Sequence, residues 1–152
     1  KTDFCCIYNA DGSFVPHSLE DMYEFTNKFD FIYCSRYKKN GSSDDDTIIT
    51  FIGNKIFTLL GKILFGVKVS DILYSYILFR RSEFLNLKLK SKDFNLALEL
   101  PIMNALKKSK YIDLASHERK RFGGKKKVRE FIDGYKLLKF MISIFINRSN
   151  FN

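Results

Sequence analysis

Apolar residues fall in short blocks separated by polar loops, and the blocks follow two spacings. Phe4-Cys5-Cys6-Ile7-Tyr8 is an unbroken apolar run ending in Asn9-Ala10-Asp11-Gly12-Ser13, the mark of a buried strand that feeds a polar loop. Ser18 with Asp21 forms a capping box, and Leu19, Met22, Tyr23 and Phe29 follow at roughly helical spacing, which predicts a helix with one face on a sheet. A second apolar run, Phe31-Ile32-Tyr33-Cys34, stops at Ser35-Arg36. The order strand, loop, helix, strand predicts a parallel α/β unit whose loops open at the carboxyl ends of the strands.

Residues 38–46 read as a polar loop, with Asp44, Asp45 and Asp46 placed where carboxylates favour a helix N-terminus. A long helix is predicted over 47–65. Its polar residues Asn54, Thr58 and Lys62 recur every four positions and leave a wide apolar face of Ile48, Phe51, Ile52, Ile56, Leu59, Leu60, Ile63 and Leu64. That face is expected to be buried or to lie on a membrane. Tyr76 to Phe79 reads as a strand, followed by Arg80-Arg81. The stretch 94–108 has helical periodicity interrupted by Pro101, which predicts a kink or a helix starting near that point. Residues 110–116 read as a strand and 130–148 as a last helix. Its apolar run 140–146 is too short to span a bilayer, which needs about 20 apolar residues. These patterns divide the chain into a main unit, 1–129, and a C-terminal apolar or amphipathic helix with its tail, 130–152.

The 152 residues are 45% hydrophobic, which excludes a disordered tail and predicts a single core. Cys5, Cys6 and Cys34 show no Cys-x-x-Cys spacing and have only His17 and His117 as further soft ligands. Neither a zinc site nor a disulfide framework is expected; reduced thiols in a cytosolic setting fit instead. Lys1-Thr2-Asp3 runs directly into the first strand with no secretory signal and no initiator Met, which predicts a piece cut from a longer chain. Twenty-six Lys and Arg against 17 Asp and Glu leave a net charge of +9.

Much of that charge is concentrated. Between Arg119 and Arg129 there are seven Lys or Arg and no acid, with Gly123 and Gly124 inside the run. A basic run is either a solvated loop or an anion-binding arm, and beside an apolar helix it also suits an anionic membrane surface. A nucleic-acid binder is the alternative class for such a charge. The aromatics fall mostly at core periodicity, however, and no RRM, KH or zinc signature is present, so no nucleic acid is expected. Asn9 and Asp11 present an amide and a carboxylate at a strand end. They form either an ordinary turn or oxygen ligands for Mg²⁺ or Mn²⁺ held jointly with a diphosphate.

Strand-Asn-x-Asp-Gly-Ser-x-x-Pro, a helix, then strand-Ser-Arg resembles the DxD region of the family-2 glycosyltransferases. Further segments resemble that family in the same order: Gly53-Asn54 in the long helix, Phe65-Gly66-Val67-Lys68-Val69-Ser70-Asp71, Phe79-Arg80-Arg81, Phe94 to Glu99, Glu118 to Val128, and Asp133-Gly134. The departures are Asn9 in place of the first acid, Ala97 in place of a Glu, Ser75 in place of a Gly after Asp71, and Tyr74 at a usually small position.

The resemblance implies a partial GT-A, Rossmann-like α/β domain with a mainly parallel sheet flanked by helices, the nucleotide-gripping first half being absent. It implies transfer of a sugar from a nucleotide-diphosphate sugar to a polyprenyl phosphate or a cell-envelope glycan, with Mg²⁺ or Mn²⁺ held at Asp11 and Asn9. Arg36 would bind the donor phosphates, or else form a surface ion pair; Asp71 would be the general base, or else a turn carboxylate. Arg119, Arg121, Lys126 and Lys127 would position an anionic acceptor phosphate, at the cytoplasmic face of a membrane. An inactive remnant of such a transferase is the further alternative, since an amide at position 9 weakens metal binding.

Overall fold

A computed structural model of the chain describes residues 2–123 and 129–148. Along it follow β1 (Phe4–Ile7), α1 (His17–Glu24), β2 (Phe31–Ser35), β3 (Ser42–Ser43), α2 (Ile48–Phe65), β4 (Ile77–Arg80), α3 (Arg81–Asn86), α4 (Leu96–Leu106), β5 (Tyr111–Ala115), β6 (His117–Glu118) and α5 (Glu130–Ile146). Four strands form one sheet in the order β1-β4-β2-β5, and β3 pairs with β6 in a second, two-stranded sheet.

β2 is buried on both faces as its unbroken apolar run predicts, whereas β1, expected to be buried, is an edge strand and is only half-buried. Ile32, Cys34, Tyr76 and Leu78 face Phe14 and Met22 of the α1 side. Their neighbours Phe31, Tyr33, Ile77 and Phe79 face the other way, against Phe57, Leu98, Ile102, Leu137 and Met141. This is the period-two alternation of strand side chains, with α1 on one face and α2, α4 and α5 on the other. Burial pushes the thiol of Cys6 up to about 11 and that of Cys34 up to about 12, so both stay protonated.

The mainly parallel sheet expected from the sequence is not what forms. β2 and β5 are parallel, Phe31 opposite Tyr111 through Ser35 opposite Ala115, but β4 runs antiparallel to both β1 and β2. The cause lies in the loop after α2. Ser70 and Asp71 are fastened at the carboxyl end of β2, by a 2.7 Å bond between the hydroxyls of Ser35 and Ser70 and by Arg36 on Asp71. β4 therefore starts where β2 finishes and runs back beside it.

Two local expectations are corrected. Ser18 does not cap α1; Pro16 precedes the helix, and the buried Ser18 hydroxyl bonds that of Ser116 at 3.0 Å. α1 also ends at Glu24, so Phe29 packs from the following turn. α4 starts at Leu96 and runs through Pro101, whose missing N–H costs the helix one bond while buried Leu98, Leu100, Ile102 and Met103 hold it in place. α2 is capped by Thr47, which accepts from the Thr50 N–H. Its apolar face is mostly not buried. Asn54 and Thr58 are 5% and 4% exposed, whereas Ile48, Leu59 and Ile63 are 79%, 56% and 69% exposed. The inner side is held by polar bonds: Asn54 Nδ2 donates to the Tyr37 hydroxyl at 3.1 Å and the Ile72 N–H donates to Thr58 Oγ1 at 3.2 Å. Gly61 allows close approach, because a Cβ there would sit 2.5 Å from Ile72 Cδ1.

Asp113 on β5 ties the α2–β4 loop to the sheet. It accepts from Lys38 Nζ at 2.9 Å and from the Ser70 N–H at 2.8 Å, as well as from the Ser70 hydroxyl. Burial pushes its carboxyl up, but the Ser70 and Lys38 bonds outweigh burial and hold it below its ordinary value of 3.8. A depressed carboxylate stabilises the fold above its unfolded pKa and loses that contribution as pH falls through the lower folded value. Asp113→Asn is therefore expected to lose about 2–3 kcal/mol at neutral pH. Urea unfolding at stepped pH should show the gap from wild type closing below about pH 4; a gap that is constant with pH would contradict the assignment.

Candidate active site

Past β5 the chain threads between two loops and bonds both. The Ser116 N–H donates to Ser35 O at 2.9 Å and the Ser42 N–H to Ser116 O at 3.2 Å. β6 pairs in parallel with β3, and Glu118 also bridges Phe14 in the antiparallel sense. The Arg119 N–H then donates to Ser13 O at 2.8 Å and the Phe122 N–H to Asp11 O at 2.9 Å. Gly12 adopts φ +80°, and the Phe122 ring lies so close that a Cβ at Gly12 would be 2.1 Å from it. Only glycine suits that turn, on both counts. The start of the basic run is thus fastened onto the Asn9-Ala10-Asp11 turn.

Beneath this junction lies a buried ion cluster. Arg36 Nε donates to Asp71 Oδ2 at 2.7 Å, Nη2 to Asp71 Oδ1 at 3.1 Å, and Nη1 to Glu118 Oε2 at 3.1 Å. Its guanidinium also sits over the Tyr74 ring, 4.6 Å from the centroid. Burial works against the charge of Arg36, but Asp71 and Glu118 outweigh it and hold the guanidinium more firmly protonated. Burial pushes Asp71 up against the opposing bonds from Arg36. Because a guanidinium stays charged, the cluster is a permanent ion pair, and breaking such a pair by removing one partner costs about 3–5 kcal/mol.

A cavity of about 400 Å³ opens beside the cluster, lined at its polar end by Asn9, Arg36, Asp45, Asp46, Tyr74, Glu118 and Arg121. Its other end is apolar, with Ile49, Ile52 and Ile56 of α2 and Phe131 and Leu137 of α5. Arg121 donates from Nε to Asp45 Oδ2 at 3.0 Å. The Tyr37 hydroxyl donates to Asp46 Oδ2. Asp46 Oδ1 and the Tyr74 hydroxyl are buried without a hydrogen-bond partner among the described residues. Orphaned polar atoms on a cavity wall are groups that a polar ligand would satisfy.

Asp11 follows Asn9 in the same turn and does not itself line the cavity. Its Oδ1 accepts from the Ser13 N–H at 3.0 Å and the Ser13 hydroxyl at 2.7 Å, which leaves Oδ2 outside those bonds. Partial burial pushes its carboxyl up, but the Ser13 bonds and the charge of Arg121 outweigh that and leave it below its ordinary value. Asp11 is therefore an anion at neutral pH.

Asn9, Arg36 and Arg121 share the cavity; Asp11 is not among its lining residues but lies within the field of Arg121. Asp71 is 1% exposed and lies behind Arg36, both oxygens taken, so it does not line the cavity. Arg119 folds back onto the loop, Nη2 donating to Phe14 O at 3.2 Å. Lys126 and Lys127 lie outside the described residues. Sequence reasoning missed Asp45, Asp46 and Glu118 as wall residues. The acids read as a helix N-terminus, and no local pattern announces a carboxylate that meets a cation 76 residues away.

No protein-family model matches the chain, and no curated protein matches it.

Asp45 competes with any incoming anion for Arg121. Asp45→Asn is expected to tighten pyrophosphate binding in Mg²⁺ about fivefold, the effect of removing one like charge at ~4 Å under water-like screening. Titration calorimetry checks this; an unchanged affinity would place Arg121 outside the anion site.

Proposed function

We propose that the chain is the carboxyl-terminal part of a GT-A domain whose site moves a sugar from a nucleotide-diphosphate sugar to a lipid phosphate or a cell-envelope glycan. The observation that supports this reading is that Asn9, Arg36 and Arg121 line one cavity while Asp11, on the same turn as Asn9, lies within the field of Arg121. It works at the cytoplasmic face of a membrane.

The electrostatics of the wall favour a metal-dependent donor. Three carboxylates, Asp45, Asp46 and Glu118, line the cavity beside two guanidinium groups, Arg36 and Arg121. A bare diphosphate is repelled by such a wall, whereas a diphosphate carrying a divalent cation is not. The donor set fits that group: one ionised carboxylate with a spare oxygen and one amide suit Mg²⁺ or Mn²⁺ that takes its remaining ligands from phosphate and water. When bound, the ion would offset negative charge on the departing nucleotide.

Within this reading each residue has a task. Asp11 and Asn9 hold the cation. Arg121, once released by Asp45, neutralises phosphate oxygens. Arg36 presents a fixed positive charge at the floor, and Asp71 acts through it as a positioning residue. A lipid phosphate with a second pKa of about 6 is already anionic and needs no base. For a glycan hydroxyl, Asp71 becomes the base only when Arg36 lets one of its oxygens go.

A second reading, a folded but inactive site, is favoured by Asn9 standing where an acid would bind metal better, and by the mutual satisfaction of Arg36 and Asp71. Calorimetry with a panel of nucleotide-diphosphate sugars, with and without Mn²⁺, tests the binding step. Wild type should bind at least one of them only with Mn²⁺, and both Asp11→Ala and Asp11→Asn should weaken that binding roughly tenfold or more. Asp11→Asn keeps an oxygen for the Ser13 bonds, so its loss reports charge rather than turn collapse. Metal-independent binding, or full binding by Asp11→Asn, would overturn the reading. Binding without transfer to a polyprenyl phosphate would select the inactive site.

A further inference from the structure

α2 carries its polar pair inward and its aliphatic side outward. On a helix of 3.6 residues per turn, Ile48, Ile52, Ile56, Leu59 and Ile63 fall on one continuous arc, and all are at least half exposed. The arc does not stop at the helix edge. Ile49, Ile52 and Ile56 share the cavity mouth with Phe131, and α5 continues the apolar surface with exposed Phe131, Tyr135, Ile142 and Ile146. Contiguous apolar surface of this extent on a folded domain marks a docking site.

We infer that the outer face of α2, extended by α5, seats in the headgroup region of an anionic lipid bilayer, with α2 lying in the plane of the interface. α2 is long and apolar enough to cross a membrane, but Asn54, Thr58 and Gly61 fasten its inner side to the domain. It therefore lies along the domain with one side available, the geometry of an interfacial helix.

Charge selects the occupant. α2 has no acidic residue, and exposed Lys55 and Lys62 lie one heptad apart along one rim of the apolar arc. A second copy of the chain, itself of net charge +9, would set Lys55 and Lys62 against like charge, whereas anionic headgroups bring the opposite sign. The inference is independent of the transferase reading, since it needs neither metal nor sugar.

The chain contains no tryptophan, so Leu59→Trp installs a single reporter on an exposed position. With phosphatidylcholine vesicles containing phosphatidylserine its emission should shift to the blue, and lipids brominated near the headgroup end of the acyl chain should quench it more than lipids brominated near the tail end. Phosphatidylcholine alone should give little of either. Adding Ile56→Asp to that variant should weaken partitioning roughly tenfold, with circular dichroism showing the fold intact. Unchanged emission with anionic vesicles, equal partitioning of the Asp variant, or strongest quenching from the bilayer centre would overturn the inference. So would a vesicle-free blue shift that grows with protein concentration, which would assign the face to a second copy.

Discussion

The guanidinium of Arg36 is a charge taken out of water at the end of a central strand, and that is tolerable only if carboxylates come to it. Asp71 comes from the loop after α2 and Glu118 from the strand after β5. Both chain directions follow. With Asp71 held at the carboxyl end of β2, β4 has to run back antiparallel beside it. With Glu118 held there too, residues 119–122 are delivered onto the Ser13, Phe14 and Asp11 backbone. One ion cluster thus gathers the Asn9–Ser13 turn, residues 119–122 and the N-terminal end of α2 around one cavity.

α2 then joins site and surface. Its inner face mixes core aromatics, Phe57 and Phe65, with a polar pair that supports the site: Asn54 braces the Tyr37 hydroxyl, which in turn donates to Asp46 on the wall. Its outer stripe is aliphatic and leaves the domain with an apolar flank that runs into the cavity mouth.

Much of this was legible in the sequence where the signal is local. The unbroken runs at 4–8 and 31–34 read as strands, and the long period of 47–65 read as a helix, because apolar runs and a 3.6-residue repeat leave direct marks. The sense of β4 was not legible, since strand direction follows from where a distant Arg anchors the preceding loop. Nor was the orientation of α2. An apolar stripe and a polar stripe are equally visible in sequence, but which one faces inward depends on partners such as Tyr37 and Ile72 that only the fold supplies. Asp71 shows the same limit in the site. A carboxylate in a loop is readable as a base, but its sequestration behind Arg36 is a three-dimensional fact. Asn9, Arg36 and Arg121 line one cavity because the turn and residues 119–122 are joined by backbone bonds rather than by side chains alone.

Whether that gathered crevice is a single site can be read amide by amide. Mn²⁺ added to the isotope-labelled chain in the presence of a nucleoside diphosphate should broaden the backbone resonances of Asn9, Asp11, Arg36, Arg121 and Phe122 together, ahead of all others. Broadening centred on Asp44 or on the carboxylates of α5, with Asp11 and Phe122 left sharp, would contradict the shared crevice.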